Sequence, residues 1–425
     1  MRKVLTVLVC CVAVFAAAQE SGVVSLDFKG LKKTKEPFLR RLLKVKPGLE
    51  YDSVVVRKDI ERLNRLPGFA IARDSVVFSP VGVKVYYILE ENFTIIPGAR
   101  IATANDGSFA YRLSAFEFNF LGNNQLLGAY YERNVFDSFG VFWEHPFLFS
   151  DQLGVGFNYQ DITRQEPVFF EQGDKDYRFN SKQWEGKLIF SFDFNNEAEL
   201  GALFVQERYS FDGLDPVPNT PAALNADKLF YRAAYRFIDL DIQYQYFDGF
   251  QSSFVGQYIH FLNGDSQAEV FLQDFVSLRN DFLWYKRVGK GGNWANRLRL
   301  AATIGNEESP FAPFTLDNQL NIRGVGNVVD RGTGAVVLNT EYRQTLYEKG
   351  WFVVQGNAFL DAGAWRDPGE PISQLFDGSN TRVHPGLGFR LIHKRIFNAV
   401  FRLDYGFGIG AGASNGIVFG IGQYF

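Results

Sequence analysis

From residue 93 to residue 425 the sequence repeats one pattern: short stretches in which every second residue is apolar, and often aromatic. In IFNAVFRLDYGF (396–407), Phe397, Phe401, Leu403, Tyr405 and Phe407 share one face, and Asn398, Arg402 and Asp404 the other. In IDLDIQYQY (238–246), Ile238, Leu240, Ile242, Tyr244 and Tyr246 alternate with Asp239, Asp241, Gln243 and Gln245. LIFSFDFN (188–195) and IVFGIGQYF (417–425) behave similarly. A period of two belongs to a strand whose faces meet different surroundings. A soluble sandwich also alternates, but it rarely concentrates so many rings on one face of its strands. The chain holds 44 Phe, 19 Tyr and 6 Trp, yet its mean hydropathy is only −0.11. That combination fits a transmembrane β-barrel, with lipid outside and a polar lumen inside.

No internal apolar run reaches the roughly eighteen residues of a spanning helix. At roughly twenty residues per strand plus connection, residues 93–425 suffice for about sixteen antiparallel strands. The alternation falters near Phe237-Ile238. Polar stretches at 163–182, 212–228 and 366–382 read as long loops, and GNN at 122–124 as a tight turn. An open edge inside a bilayer leaves backbone groups unsatisfied, so the sheet is expected to close.

The first quarter of the chain differs. Residues 1–18 combine basic Arg2 and Lys3, an apolar stretch and Ala16-Ala17-Ala18, the pattern of a cleaved secretory signal. Cys10 and Cys11, the only cysteines, both lie within it, so disulfides and thiolate metal sites are not expected to stabilise the exported chain. Residues 21–92 carry 14 Lys/Arg against 9 Asp/Glu, and residues 93–425 carry 28 against 37. The change of sign near residue 92 marks a domain boundary. Within residues 22–92 the periodicities predict the order β-α-α-β-β: GVVSLDFKG, EPFLRRLLKV, SVVVRKDIERLNRLPGF with Val55, Ile60, Leu63 and Leu66 toward one side, then ARDSVVFS and GVKVYYILE. The basic run Lys32, Lys33, Lys35, Arg40, Arg41 and Lys44 reads as a solvated helix face, with an acidic partner or lipid headgroups as the alternative.

One such module before a barrel resembles a POTRA domain, on Gly30, Gly48, the LPGF stretch at 66–69 and VYYILEEN at 85–92. The whole mature chain resembles the BamA/TamA superfamily of outer-membrane barrels, the bacterial surface antigen family, which includes the two-partner secretion transporters. Ile322-Arg323-Gly324 matches that family's V/I-R-G loop motif, and Phe359-Leu360-Asp361-Ala362-Gly363 matches its F-x-D-x-G strand motif. Between them, VVLNTEYRQTL (336–346) resembles the intervening strand and places Glu341 at its acidic position. The resemblance implies a loop folded back into the lumen, with Arg323 paired to Asp361 and to Glu341, and with Gly324, Phe359 and Gly363 belonging to the same lock. Val325 stands where the family usually has an aromatic, which removes an anchoring contact. Ile417, Phe419, Ile421 and Phe425, alternating outward, resemble the C-terminal signal of outer-membrane barrels, and equally describe a last lipid-facing strand. Glycines at 406, 408, 410, 412, 420 and 422 crowd the final strands; smooth curvature and a weak strand junction both account for them.

No catalytic constellation emerges. His145, His260, His384 and His393 lack metal-ligand spacing, there is no G-x-S-x-G elbow, and GFGIGAG (406–412) follows a strand without introducing a helix. Asp239 and Asp241 read as polar lumen lining. The expectation is therefore a non-enzymatic outer-membrane insertion or translocation factor, without cofactor, metal or nucleic-acid partner. Its module would stand in the periplasm and meet unfolded outer-membrane or exported polypeptide clients and periplasmic accessory proteins, while the barrel meets outer-membrane lipid. The alternatives are a passive pore or structural barrel, and a dedicated single-partner exporter.

Overall fold

The computed structural model describes residues 22–103, 109–170, 173–211, 220–311, 314–316, 321–326, 330–397, 399–410 and 413–425. The expected signal segment 1–18, residues 212–219 and Gly412 lie outside the described residues.

The amino-terminal domain runs β1 (Val23–Lys29), α1 (Glu36–Leu42), α2 (Ser53–Arg65), β2 (Phe69–Ser79) and β3 (Gly82–Glu91). Its sheet has the order β1-β3-β2, with β1 parallel and β2 antiparallel to β3. Asp52 caps α2 by accepting from the Val54 N–H at 2.7 Å. The face α2 buries is offset from the sequence expectation. Val56, Asp59 and Leu63 are buried, whereas Val55 and Ile60 lie at the margin of the core. Asp59 takes a core position because it satisfies the chain leaving α1. Its carboxylate accepts from the N–H groups of Lys44 at 3.0 Å and Val45 at 2.9 Å, and from the Tyr87 hydroxyl at 3.2 Å.

The barrel strands are β4 (Ile95–Thr103), β5 (Phe109–Phe120), β6 (Gln125–Asn134), β7 (Phe136–His145), β8 (Leu153–Phe170), β9 (Gly173–Ser191), β10 (Asn196–Ser210), β11 (Ala223–Gln243), β12 (Tyr246–Gly264), β13 (Phe275–Val288) and β14 (Gly292–Ile304). A short pair, β15 (Phe314–Leu316) and β16 (Asp330–Gly332), precedes β17 (Gly334–Lys349), β18 (Phe352–Arg366), β19 (Thr381–His393), β20 (Val400–Phe407) and β21 (Asn415–Ile421). All but β15 and β16 form one antiparallel sheet of sixteen strands, from β4 to β21 in chain order. The sheet curls until its two end strands, β21 and β4, lie side by side. Among the described residues no hydrogen-bonded ladder joins these two strands. Just below this seam Phe93 ties the chain by two backbone hydrogen bonds, its N–H donating to Arg395 O at 3.1 Å and its carbonyl accepting from the Phe397 N–H at 3.3 Å.

Alternation survives along the wall. Phe401, Leu403, Tyr405 and Phe407 of β20 face out, and Arg402 and Asp404 face in. On β11 the outward series Tyr231, Tyr235 and Phe237 continues with Asp239 and Asp241. This reverses the sequence reading of IDLDIQYQY: Leu240 points inward and the two aspartates point out. The strand keeps its parity while its surroundings exchange. Below the apolar belt the outer face meets water, and the inner face meets a cluster of Leu240, Tyr285 and Ala295. The stretch 163–182 is likewise not a loop. It is the paired upper part of β8 and β9, from Thr163↔Asn180 to Phe170↔Gly173. Its inner face supplies Val168, Tyr177 and Phe179 to an aromatic cluster capped by Phe311. Strand β11 begins at Ala223, inside the expected 212–228 loop, and residues 367–380 connect β18 to β19 through two 3-10 turns.

The basic run is largely exposed, with Lys32 and Lys35 on the surface and Arg40 paired with Glu36 within α1, and three of its members seat the domain on the barrel rim. Lys33 pairs with Glu117, Lys44 with Asp151 at 2.7 Å, and Arg41 donates to Phe147 O at 2.7 Å. Gly122, in the tight turn, has φ +70, and a Cβ there would stand 2.2 Å from Lys33 O. The Lys35 N–H donates to its carbonyl at 2.9 Å. Arg65, at the end of α2, reaches into the mouth and donates to Phe194 O (3.0 Å), Ile238 O (3.1 Å) and Leu240 O (3.2 Å).

Candidate functional site

The segment Asn321–Val325 lies inside the barrel, fully buried. Arg323 is its centre. Its Nε and Nη2 each donate to Asp361 at 2.8 Å, and its own backbone N–H donates to the same carboxylate at 2.9 Å. Nη1 donates to Glu341, and Asp404 lies 3.7 Å from that nitrogen. The planar fork matches a carboxylate bidentately, which an ammonium group cannot do. The guanidinium also stacks over the Phe359 ring, with 3.6 Å to its centroid. Asp361 and Phe359 reach the same point because both face inward from β18, two residues apart.

Further charges surround this pair. Glu341 also accepts from Arg343 and, at 3.4 Å, from Arg390; Arg390 donates to Asp404 at 2.6 Å. All these side chains have zero exposure. Sequence reasoning missed Arg343 and Arg390. The signal was available in the inward parity of β17 and β19, where Glu341 and Arg343 are two apart and Arg390 faces Arg402 across the ladder.

Small residues make room for the loop. Gly324 has φ +91, a conformation glycine favours. A Cβ on Gly363 would stand 2.6 Å from Ile322 Cδ1. Of the crowded glycines of the last strands Gly406 has the same use, abutting the Arg323 carbonyl, whereas Gly420 makes room for Arg402, whose Nη2 would stand 2.7 Å from a Cβ there. Val325 is anchored after all. It packs with Ile322 and Val337 against Trp365, and the Ser414 hydroxyl donates to its carbonyl at 2.8 Å. The aromatic contact comes from the wall instead of the loop.

The last strand departs from expectation. Ile417, Phe419 and Ile421 face outward, but Phe425 does not. The ladder with β20 ends at Phe401↔Ile421, and Gly422 turns the chain with φ +93. Tyr424 then lies beneath Arg323, whose guanidinium is 4.5 Å from the ring centroid, and Phe425 joins the Leu240–Tyr285–Ala295 cluster. Lumen-facing rings and guanidinium groups supply a surface for Phe425 that lipid does not.

No family model and no curated protein matches the sequence. Solved structures do. Haemophilus ducreyi BamA lacking POTRA domains 1–3 matches with TM-score 0.58 and 16% identity, over 96% of this chain and 85% of that one. CdiB from Escherichia coli matches with TM-score 0.66 and 10% identity, over 95% and 76%. CdiB from Acinetobacter baumannii matches with TM-score 0.59 and 11% identity, over 95% and 74%. At such identities the likeness is one of fold, and in fold this chain is a BamA/TamA-like sixteen-stranded barrel.

Proposed function

We propose that this chain is a non-enzymatic outer-membrane factor that inserts unfolded polypeptides into the membrane or passes them across it. In this reading the amino-terminal domain is a POTRA module on the periplasmic side, and an exposed sheet edge there receives an extended client through backbone hydrogen bonds. The carrying observation is the buried Arg323–Asp361–Glu341 lock beside a seam that β4 and β21 leave without a ladder. A loop clamped across the lumen narrows any path for free diffusion. A barrel whose wall must part gains a rigid interior that keeps its shape while the seam is open.

The test is depletion followed by quantitative mass spectrometry of the outer membrane, with complementation by wild type and by Arg323→Ala. Loss of many unrelated barrels assigns a general insertase, and loss of one protein a dedicated exporter. An unchanged membrane overturns both and leaves a pore or structural barrel.

A further inference from the structure

The seat of Tyr424 and Phe425 is built like a binding site. After Gly422 the tail leaves the wall at β21 and crosses the lumen to β11, β13 and β14. Tyr424 is almost fully buried and stacks beneath Arg323, with Arg402 at 4.8 Å and Arg297 at 5.6 Å from its centroid. Phe425 lies between Arg297, at 5.4 Å, and Arg343, at 5.6 Å, on a floor of Leu240, Tyr285 and Ala295. Arg343 Nη2 donates to its main-chain oxygen at 3.3 Å. Cations over ring faces with an apolar floor select aromatic side chains.

The fit of the tail is incomplete. Gln423 Oε1 is buried without a hydrogen-bond partner among the described residues. Gln423 also lines a cavity of about 340 Å³ that reaches Asn64, Phe69 and Asn92 of the amino-terminal domain. The site therefore has an occupant from its own chain, and a cavity bordered by the docked module abuts it at Gln423 and at Ile242 and Phe247, which pack against the same cluster as Phe425.

We infer that the lumen floor is a receptor for aromatic side chains of an extended polypeptide, filled in cis by Tyr424 and Phe425 and open in trans to a client segment bearing such a pair. This rests on the proposed handling of polypeptide clients. An internal occupant lowers apparent affinity by the fraction of time the site is free. Emptying it must therefore tighten binding.

The experiment is a fluorescence-anisotropy titration of the detergent-solubilised full chain with a labelled peptide of residues 415–425. The control peptide carries alanine at its last two positions. Tyr424→Ala/Phe425→Ala protein, checked for folding by heat-modifiable gel mobility, is expected to bind the aromatic peptide at least tenfold more tightly than wild type, and to bind the control no better than wild type does. Equal binding by both proteins, or equal binding of both peptides, overturns the inference. If the double variant does not fold, benzoylphenylalanine at position 283, beside the Phe425 floor, gives a second readout in the full chain. Excess aromatic peptide is expected to replace the internal cross-link to the tail by a peptide adduct, and an undiminished internal cross-link overturns the receptor. Failure here with assembly still lost in Arg323→Ala cells removes the receptor alone; an unchanged membrane on depletion removes the client reading itself.

Discussion

Gly324 and Gly406 meet backbone to backbone. A Cβ on Gly324 would stand 2.5 Å from the Gly406 carbonyl oxygen, and one on Gly406 would stand 2.2 Å from that of Arg323. Alanine at either position is expected to push the loop off the wall, at about 1–3 kcal/mol for a contact that backbone cannot evade. Gly416→Ala is the control, since its Cβ comes no nearer than 3.8 Å to Gly324 Cα. Protease cleavage within residues 317–330 of the folded barrel reads the result. It should rise for Gly324→Ala and Gly406→Ala and stay at the wild-type rate for Gly416→Ala.

Arg323→Ala leaves Asp361 and Glu341 buried near the remaining arginines but without their central partner. Breaking a buried ion pair from one side costs about 3–5 kcal/mol. Arg323→Lys is expected to recover less than half, because a single ammonium cannot bridge two carboxylates in the same plane. Urea midpoints of the folded barrel in detergent check the ranking, and a double-mutant cycle with Asp361→Ala should show strong positive coupling.

Asp59 ties the two helices of the amino-terminal domain to its sheet. Asp59→Ala strands two backbone N–H groups and the Tyr87 hydroxyl, and is expected to destabilise the domain by about 3 kcal/mol. Burial, and then the charge of Asp59, holds the Tyr87 phenol above its usual range. A raised phenol contributes stability below its unfolded value and loses it as pH rises through the folded one. Thermal melts should therefore fall only above about pH 10. Tyr87→Phe removes that alkaline limb.

The Lys44 ammonium, hydrogen-bonded to Asp151, holds that carboxyl below the usual carboxylate range. A lowered carboxyl supplies docking strength above its free value and loses it as pH falls through the docked one. Docking of the domain is thus expected to be flat at neutral pH and to weaken below about pH 4. The pair is partly exposed, so the loss is of the order of 0.2–1 kcal/mol. Hydrogen exchange at residues 119–124 measures it, and Lys44→Ala should remove the acid limb.

Alternation made the barrel legible because one strand face is apolar over most of its height. It misled where the strand leaves that belt. At Asp239 and Asp241 the parity was intact and the environment had changed, so hydropathy named the wrong face. At 163–182 the inner face is aromatic and the outer face polar, which resembles a loop when no register is known. The Arg323 lock was readable because its members lie in short matched motifs. Arg343 and Arg390 carried only the inward parity of their strands, and Tyr424 not even that, because the point where they meet depends on which strands are neighbours across the lumen.

The amino-terminal domain rests on the rim at four places: the β5–β6 turn at Gly122, the β7–β8 turn at Asp151, the carbonyls of Phe194, Ile238 and Leu240 under Arg65, and Arg395 of the β19–β20 connection, 2.8 Å from Glu90. Three supports fix a plane, so the fourth is redundant and no swivel about the linker at Asn92 is available while they hold. Arg65 and Leu66 line both mouth cavities, of about 420 and 340 Å³. Freeing Arg65 therefore leaves the domain seated on three legs, like a table, while it thins the partition between the two spaces.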